Sequence, residues 1–311
     1  MEIKIKIILL VICAILVCLY QFNIEAAGKE GYKITDIRIY QDTPAWKLAL
    51  AVKKQNIRSI EKIVKKEPYL LNYQEPKYGA TLLLWAVGME KYKSVEALLK
   101  CEADPNIALT FDGETPLFTA AGYSWVDRAA KKDPKYVKLL LRYGADPNIN
   151  YIGFNIDGVE STNETGASPL MNSIGCGIEK TKALVEAGAD INYKTPLGTT
   201  AAIDALRTGG NRTLEYLQYA HYLIVEKKAK VSDYYYGRYS FSDPTRKFYP
   251  VDILRNWIYP LDSKEHKIKM EIVEEFARQG VNYWETKIND STLRIIKKRY
   301  PDTWEEYIKK Y

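Results

Sequence analysis

Residues 139–148 read LLLRYGADPN. Three leucines, an arginine and a tyrosine run into Gly144, then a small residue, an acid and a proline. Gly takes the left-handed conformation at a helix C-terminus without steric cost, and Asp-Pro-Asn suits the turn that follows. The phrase recurs as LLKCEADPN at 98–106 and as LVEAGADIN at 184–192, so that Asp104, Asp146 and Asp190 stand 42 and 44 residues apart. A phrase repeated at such an interval is the signature of a stacked-repeat architecture, in which each unit buries its apolar face on its neighbours.

Each closing phrase has a matching opening upstream: ATLLLWAV at 80–87, GETPLFTAA at 113–121 and GASPLMNSI at 166–174. A Thr or Ser hydroxyl can cap a helix N-terminus, whose first backbone N–H groups lack partners. Proline at the first helical position loses nothing, because its missing N–H would have been unpaired there. Small residues then allow close packing. A second helix carries Val95, Leu98 and Leu99 in one unit and Val137, Leu139 and Leu140 in the next.

This pattern resembles the ankyrin-repeat family: helix, short turn, helix, then a turn loop. DGETPLFTAAG with VKLLLRYGADPN carries the resemblance most closely, with Phe118 where the family has His. Units are clear at about 79–109, 111–150 and 165–194. Degenerate ones are expected at 42–68, opening on Thr43-Pro44, at 197–232, opening on Thr199 with Lys228 in the closing glycine position, and at 248–285, closing on Gly280. Terminal repeats are atypical because they turn one face to water. The resemblance implies an all-α ankyrin-repeat solenoid of about six helix-turn-helix repeats with irregular long loops, over 40–288. Residues 289–311 read as a C-terminal helical cap, split at Pro301, and 27–39 as a linker.

Residues 1–26 are set apart. Two lysines precede the uncharged run Ile7–Leu19, the pattern of a secretory signal peptide. A spanning helix wants about 20 apolar residues, which this run reaches only if extended over residues 7–22 as an uncleaved anchor. Either reading predicts an exported chain, periplasmic or otherwise extracytoplasmic or secreted, or one tethered to a membrane by that segment.

Two irregularities point to function. The opening-to-closing spacing is 21 and 20 residues in the second and fourth units but 29 in the third and fifth, with the third unit's excess in 122–136. The loops 149–168 and 232–249 are also long, and insertions in stacked repeats map to loops on one face, often the binding face. The candidate contact residues are Tyr151 and Phe154 in the first loop, and Tyr234, Tyr235, Tyr236, Arg238, Tyr239 and Phe241 in the second. Tyr and Arg dominate interface hot spots. The competing expectation is that these rings anchor their loops to the domain.

The rest of the composition argues mostly by exclusion. The chain has 311 residues, 47% hydrophobic, with 25 tyrosines and a net charge of +6 from 45 basic and 39 acidic residues, the basic ones in no long run. That balance gives no case for nucleic acid. Cys101 and Cys176 lack metal-ligand spacing and fall two units apart, so free thiols and no metal are expected. His221 and His266 read as helix and surface residues, and no nucleophile, phosphate-loop or metalloprotease motif is present. The expectation is a monomeric, non-enzymatic scaffold without cofactor, binding a protein partner through loop tips and the concave face. The alternatives are a structural or stabilising accessory of an envelope enzyme or assembly, and an inhibitor or immunity-type protein against a toxin.

Overall fold

A computed structural model describes residues 31–153, 163–210, 213–237, 243 and 245–311. The N-terminal segment read as signal or anchor lies outside these. Among the described residues no helix is long and apolar enough to cross a membrane. The chain divides into two compact units, residues 1–103 and 104–311.

The first unit holds two antiparallel helix pairs, α1 (Trp46–Lys53) with α2 (Ile57–Lys66) and α3 (Leu82–Gly88) with α4 (Tyr92–Lys100). Thr81 caps α3 as its sequence predicts, its hydroxyl accepting the Leu84 N–H at 3.2 Å. Thr43 does not cap α1: the helix starts three residues later, and the hydroxyl donates instead to the Tyr40 carbonyl. Residues 37–39, read as linker, belong to the core. Ile37–Tyr40 form a 3-10 turn with Ile37, Ile39 and Tyr40 buried, and the Tyr40 hydroxyl donates to the Ala80 carbonyl at 3.0 Å.

The second unit holds four pairs: α5 (Pro116–Ala121) with α6 (Lys135–Arg142), α7 (Pro169–Asn172) with α8 (Ile178–Glu186), α9 (Ala201–Gly209) with α10 (Leu214–Ala220), and α11 (Pro250–Arg255) with α12 (Lys264–Arg278). α10 continues as a π-helical turn, His221–Glu226, which lengthens the fifth repeat. Thr115, Ser168 and Thr200 cap α5, α7 and α9 through the N–H three residues on. The fifth cap is thus Thr200, not Thr199, whose hydroxyl is used elsewhere. The excess residues of the third repeat form a bulging connection, with Tyr123 bridged to Ala130 and Ser124 N–H donating to the Ala129 carbonyl.

The closing phrases explain the stacking. Gly144, Gly188 and Gly280 hold φ of +86°, +90° and +80°, and the N–H of the next residue returns to the carbonyl five back, the pairing that ends a helix on a left-handed residue. Glu102 and Lys228 stand in the same position at φ +70° and +59° without being glycine. Each Asp then fixes its own turn, accepting the N–H of Asn106, Asn148 or Asn192 two residues on. Each Asn reaches into the next closing turn. Asn106 Nδ2 donates to Gly144 O at 3.0 Å while its Oδ1 accepts Asp146 N–H at 2.7 Å. Asn148 repeats this with Gly188 O and Asp190 N–H at 3.1 and 2.8 Å. Asn192 Oδ1 accepts Lys230 N–H at 2.9 Å. In the last repeat Gln279 takes over from the other side, accepting Val231 N–H and donating to the Ala229 carbonyl.

A second seam runs along the ends of the short inner helices. Lys180 is buried, and its Nζ donates to the Ala120 carbonyl at 2.8 Å, while Asn172 donates to Phe118 O, also at 2.8 Å. Trp257 Nε1 and the Tyr259 hydroxyl serve Leu206 O and Gly209 O at the end of α9. Lys269 is buried too, donating to Trp257 O at 2.7 Å beneath the Tyr283 and Tyr311 rings. Burial, with Arg255 nearby, holds its ammonium well below the usual lysine range.

The C-terminal cap consists of α13 (Asp290–Arg299) and α14 (Trp304–Tyr307), packed through Ile296, Tyr307 and Tyr311 on Ile258. Tyr300, Tyr307 and Tyr311 stack in sequence, and the Tyr307 hydroxyl donates to the Tyr259 carbonyl at 2.7 Å. In the connection from α10 to α11, β1 (Tyr235–Tyr236) and β2 (Lys247–Phe248) form a short antiparallel hairpin.

Two stability outcomes follow. Asn148→Ala removes two hydrogen bonds between successive turns, each worth about 1 kcal/mol net, and should lower unfolding stability by about 1–2 kcal/mol in urea titration. Glu102→Gly relieves a left-handed L-residue and should raise stability by about 0.5–1 kcal/mol in the same assay.

Candidate partner-binding face

A groove of about 230 Å³ lies in the second unit along the inner helices. Its apolar floor is Ala167, Met171 and Ile174, and its polar wall is Asn172, Asp204, Arg207 and Thr208. α7 has only four residues and α9 meets it with small ones, which leaves room between neighbouring repeats. Arg207 is fixed twice: Nη1 donates to Asp204 Oδ1 at 3.0 Å, and the guanidinium lies 4.6 Å from the Tyr235 ring centre. Glu164 binds two loops together by accepting the hydroxyls of Thr195 and Thr199.

The bulge of the third repeat forms the opposite wall. Tyr123 lines the groove and is 58% exposed, and Val126 beside it is 56% exposed. Under the bulge lies Glu114. Thr119 Oγ1 donates to it at 2.7 Å and the Trp125 side chain also donates, yet withdrawal from water, with Asp112 adding repulsion, pushes its carboxyl up to about 7. Asp112 is likewise raised by burial.

The loop residues singled out from the sequence divide. Tyr151 is 3% exposed, stacked on Phe118 with ring centres 5.2 Å apart, and its N–H donates to the Ala167 carbonyl. It anchors its loop and presents no ring to a partner. Tyr235 is 7% exposed, packed on Phe248 and under Arg207. It supports the groove from below. Tyr234 and Tyr236 face the other side of the hairpin, edge to face at 5.5 Å, and Tyr234 is 39% exposed. Phe154, Arg238, Tyr239 and Phe241 lie outside the described residues. Tyr151 and the hairpin are each tied to a neighbouring loop: Gly166 N–H donates to the Tyr151 carbonyl, and Tyr236 N–H donates to the Leu197 carbonyl.

The groove residues Tyr123, Asn172, Asp204, Arg207 and Thr208 were not among those candidates. The extra spacing at 122–136 was the signal for Tyr123. For the others the sequence shows only ordinary helix residues.

Elsewhere, His221 sits between the Glu226 and Glu271 carboxylates at 3.2 and 2.6 Å, beside a smaller pocket lined by Lys182 and Tyr222. Cys101 and Cys176 are free thiols. The described residues hold no cluster fit for a metal ion.

The family model for ankyrin repeats matches residues 48–151, in three copies. Residues 48–151 carry ankyrin repeats. Of the helix pairs that follow, those opening at Ser168 and Thr200 have the same hydroxyl caps, and all three close on a left-handed residue, which continues the same construction beyond the matched stretch. Among curated proteins, ankyrin repeat domain-containing protein 49 of Drosophila melanogaster is 41% identical over 66 residues, 21% of this chain. The aligned part is 27% of the length of that relative.

The half-buried Glu114 makes a pH expectation. Its folded value, about 7, lies above that of an unfolded glutamate, about 4.3. Between these the unfolded chain loses the proton first, so this group's contribution to stability is full below about pH 4.3 and is lost as pH rises toward 7. Glu114→Gln should flatten that part of the stability–pH curve and gain most over wild type above pH 7. An unchanged slope in chemical denaturation across this window would show the carboxyl to be solvated.

Proposed function

We propose that this ankyrin chain is a protein-binding scaffold that does no chemistry, and that it grips its partner along the inner-helix groove and the neighbouring loop tips. One observation carries this reading: the third repeat spends its extra residues on a bulge that stands Tyr123 and Val126 out of the fold beside a groove with a fixed Asp204–Arg207 pair. Large exposed side chains next to a preformed polar wall are what a partner needs for anchors and orientation. Tyr151 and Tyr235, by contrast, are consumed in packing. A location outside the cytoplasm, or at a membrane through residues 7–22, is proposed with it and is supported by the basic start and the apolar run Ile7–Leu19.

The test is crosslinking capture from the native source, followed by titration of the captured protein with purified wild type and with Tyr123→Ser/Val126→Ser. Both side chains are exposed, so the variant should melt as wild type does. Loss of a hot-spot anchor should weaken binding by about 30-fold. Equal affinity for both would remove the groove from the binding site, and the absence of any stoichiometric protein would end the scaffold reading.

A further inference from the structure

The charge of the chain is unevenly placed. Residues 31–103 hold 13 basic and eight acidic residues and residues 104–311 hold 29 and 28, so nearly all of the net +6 belongs to the first unit. Its densest stretch is α2, Ile57–Lys66, with the sequence IRSIEKIVKK. At about 100° per residue, Arg58, Lys62, Lys65 and Lys66 fall within one arc of about 100°, on the side away from the buried Ile60 and Val64. All four are exposed, and Arg58, Lys62 and Lys65 make no ion pair or hydrogen bond among the described residues. Lys66 alone is matched, by Glu67 at 3.8 Å, and that carboxylate also accepts the hydroxyl of Tyr69, a ring 64% exposed at the end of the stripe. Glu61, at the edge of the arc, bears on the next repeat: burial first, and then the Glu61 charge, raise the Cys101 thiol.

We propose that this stripe docks the first unit on an anionic lipid surface, with its cations over the headgroups and Tyr69 at the interface. The inference is separate from the groove of the second unit. From Arg58 to Lys66 the cations lie along about 12 Å of helix. Long side chains held by no neighbour would lose their freedom in a fitted protein interface, which opposes binding there. A fluid layer of headgroups asks for no such ordering. It attracts through its surface potential, by about fivefold in affinity for each cation near it. Tyrosine suits the membrane–water boundary, where its apolar body and polar tip are both satisfied. Single-stranded nucleic acid needs ring faces among the cations, and the arc has none. The apolar run Ile7–Leu19, read above as a signal or an anchor, is the sequence's own reason to expect a membrane nearby.

The test is flotation of the purified full chain with vesicles of phosphatidylcholine alone and of phosphatidylcholine with about 30% phosphatidylglycerol. Residues 7–19 are apolar enough to bind either vesicle, so the quantity read is the ratio of the two affinities. That ratio should be at least about 50-fold near physiological salt and should fall as salt is raised. Arg58→Gln/Lys62→Gln/Lys65→Gln/Lys66→Gln should lower it at least about 20-fold. Arg294→Gln/Lys298→Gln/Lys309→Gln/Lys310→Gln removes as many exposed charges from the C-terminal cap and should lower it no more than about twofold. Glutamine keeps the helix propensity, and melting curves check the fold. If the fourfold variant melts early, Lys62→Gln/Lys65→Gln is read in its place, with an expected loss of at least about fivefold. Three results overturn the proposal: equal affinity for the two vesicles, equal loss in the control, or tighter binding of a duplex oligonucleotide or a glutamate-rich peptide through the same four cations. The Tyr123→Ser/Val126→Ser titration reads the scaffold separately, so either proposal can fail alone.

Discussion

A side-chain amide holds a donor NH2 group and an acceptor oxygen in one fixed plane, and the second unit is pitched by that geometry. Asn106 and Asn148 each place Nδ2 on a glycine carbonyl and Oδ1 on an aspartate N–H of the following turn. Both groups can be presented together only if the turn is left-handed at the residue before Ala145 or Ala189, which is why glycine stands there. The Asp two residues before each Asn holds the amide's own backbone in place. One short phrase therefore ends a helix, sets a turn and fixes the next repeat. Asn192 keeps half of this arrangement, through Lys230 N–H, and Gln279 supplies the remainder from the repeat beyond.

With the pitch set, the inner helices can be very short. Any helix leaves its last carbonyls without partners inside it, and in a short helix these are most of its acceptors, so partners must come from outside. Lys180 and Asn172 provide them for α5, and Trp257 and Tyr259 for α9. Burying a lysine is costly unless its hydrogen bonds are met, and both Lys180 and Lys269 sit on carbonyls that would otherwise be orphaned. These contacts are a reason for the repeats to stay in phase, beyond the non-directional packing of Leu and Val. They also explain how the third repeat tolerates its bulge: the end of α5 is held by the following repeat, so the connection to α6 is left to wander.

The repeat phrases and three of the caps were legible in the sequence because they are local: Thr115, Ser168 and Gly144 act on residues within a turn of themselves. The misplaced caps were errors of one or a few residues where two hydroxyls or a hydroxyl and a proline compete, as at Thr199 and Thr200 or at Thr43. The C-terminal cap was visible as a hydrophobic pattern broken by proline. The groove and its rim were not legible in the same way. Tyr151 and Tyr235 belong to aromatic runs that look like contact loops, and only the tertiary arrangement shows that Phe118 and Phe248 lie across from them. Asp204 and Arg207 sit on an unremarkable amphipathic helix, and their role comes from what the neighbouring repeats leave uncovered.

Arg207 joins the two halves of the face. Its guanidinium pairs with Asp204 in the groove wall and covers the Tyr235 ring, whose other neighbour is Phe248 of the second hairpin strand. Phe248 in turn carries Arg246. The sequence of contacts from α9 through β1 to β2 is continuous, so the hairpin's position is set by the same helix that lines the groove. Arg246, with Phe248, and Lys247, with Tyr234, leave the hairpin on opposite faces, and only the first belongs to this stack. The character of the face thus changes along its length: exposed aromatic and aliphatic groups at the bulge, and a mixed charge pair in the wall. A partner that follows it in one direction meets a different chemistry from one that follows it in the other, and that asymmetry gives an otherwise repetitive fold a means of setting orientation.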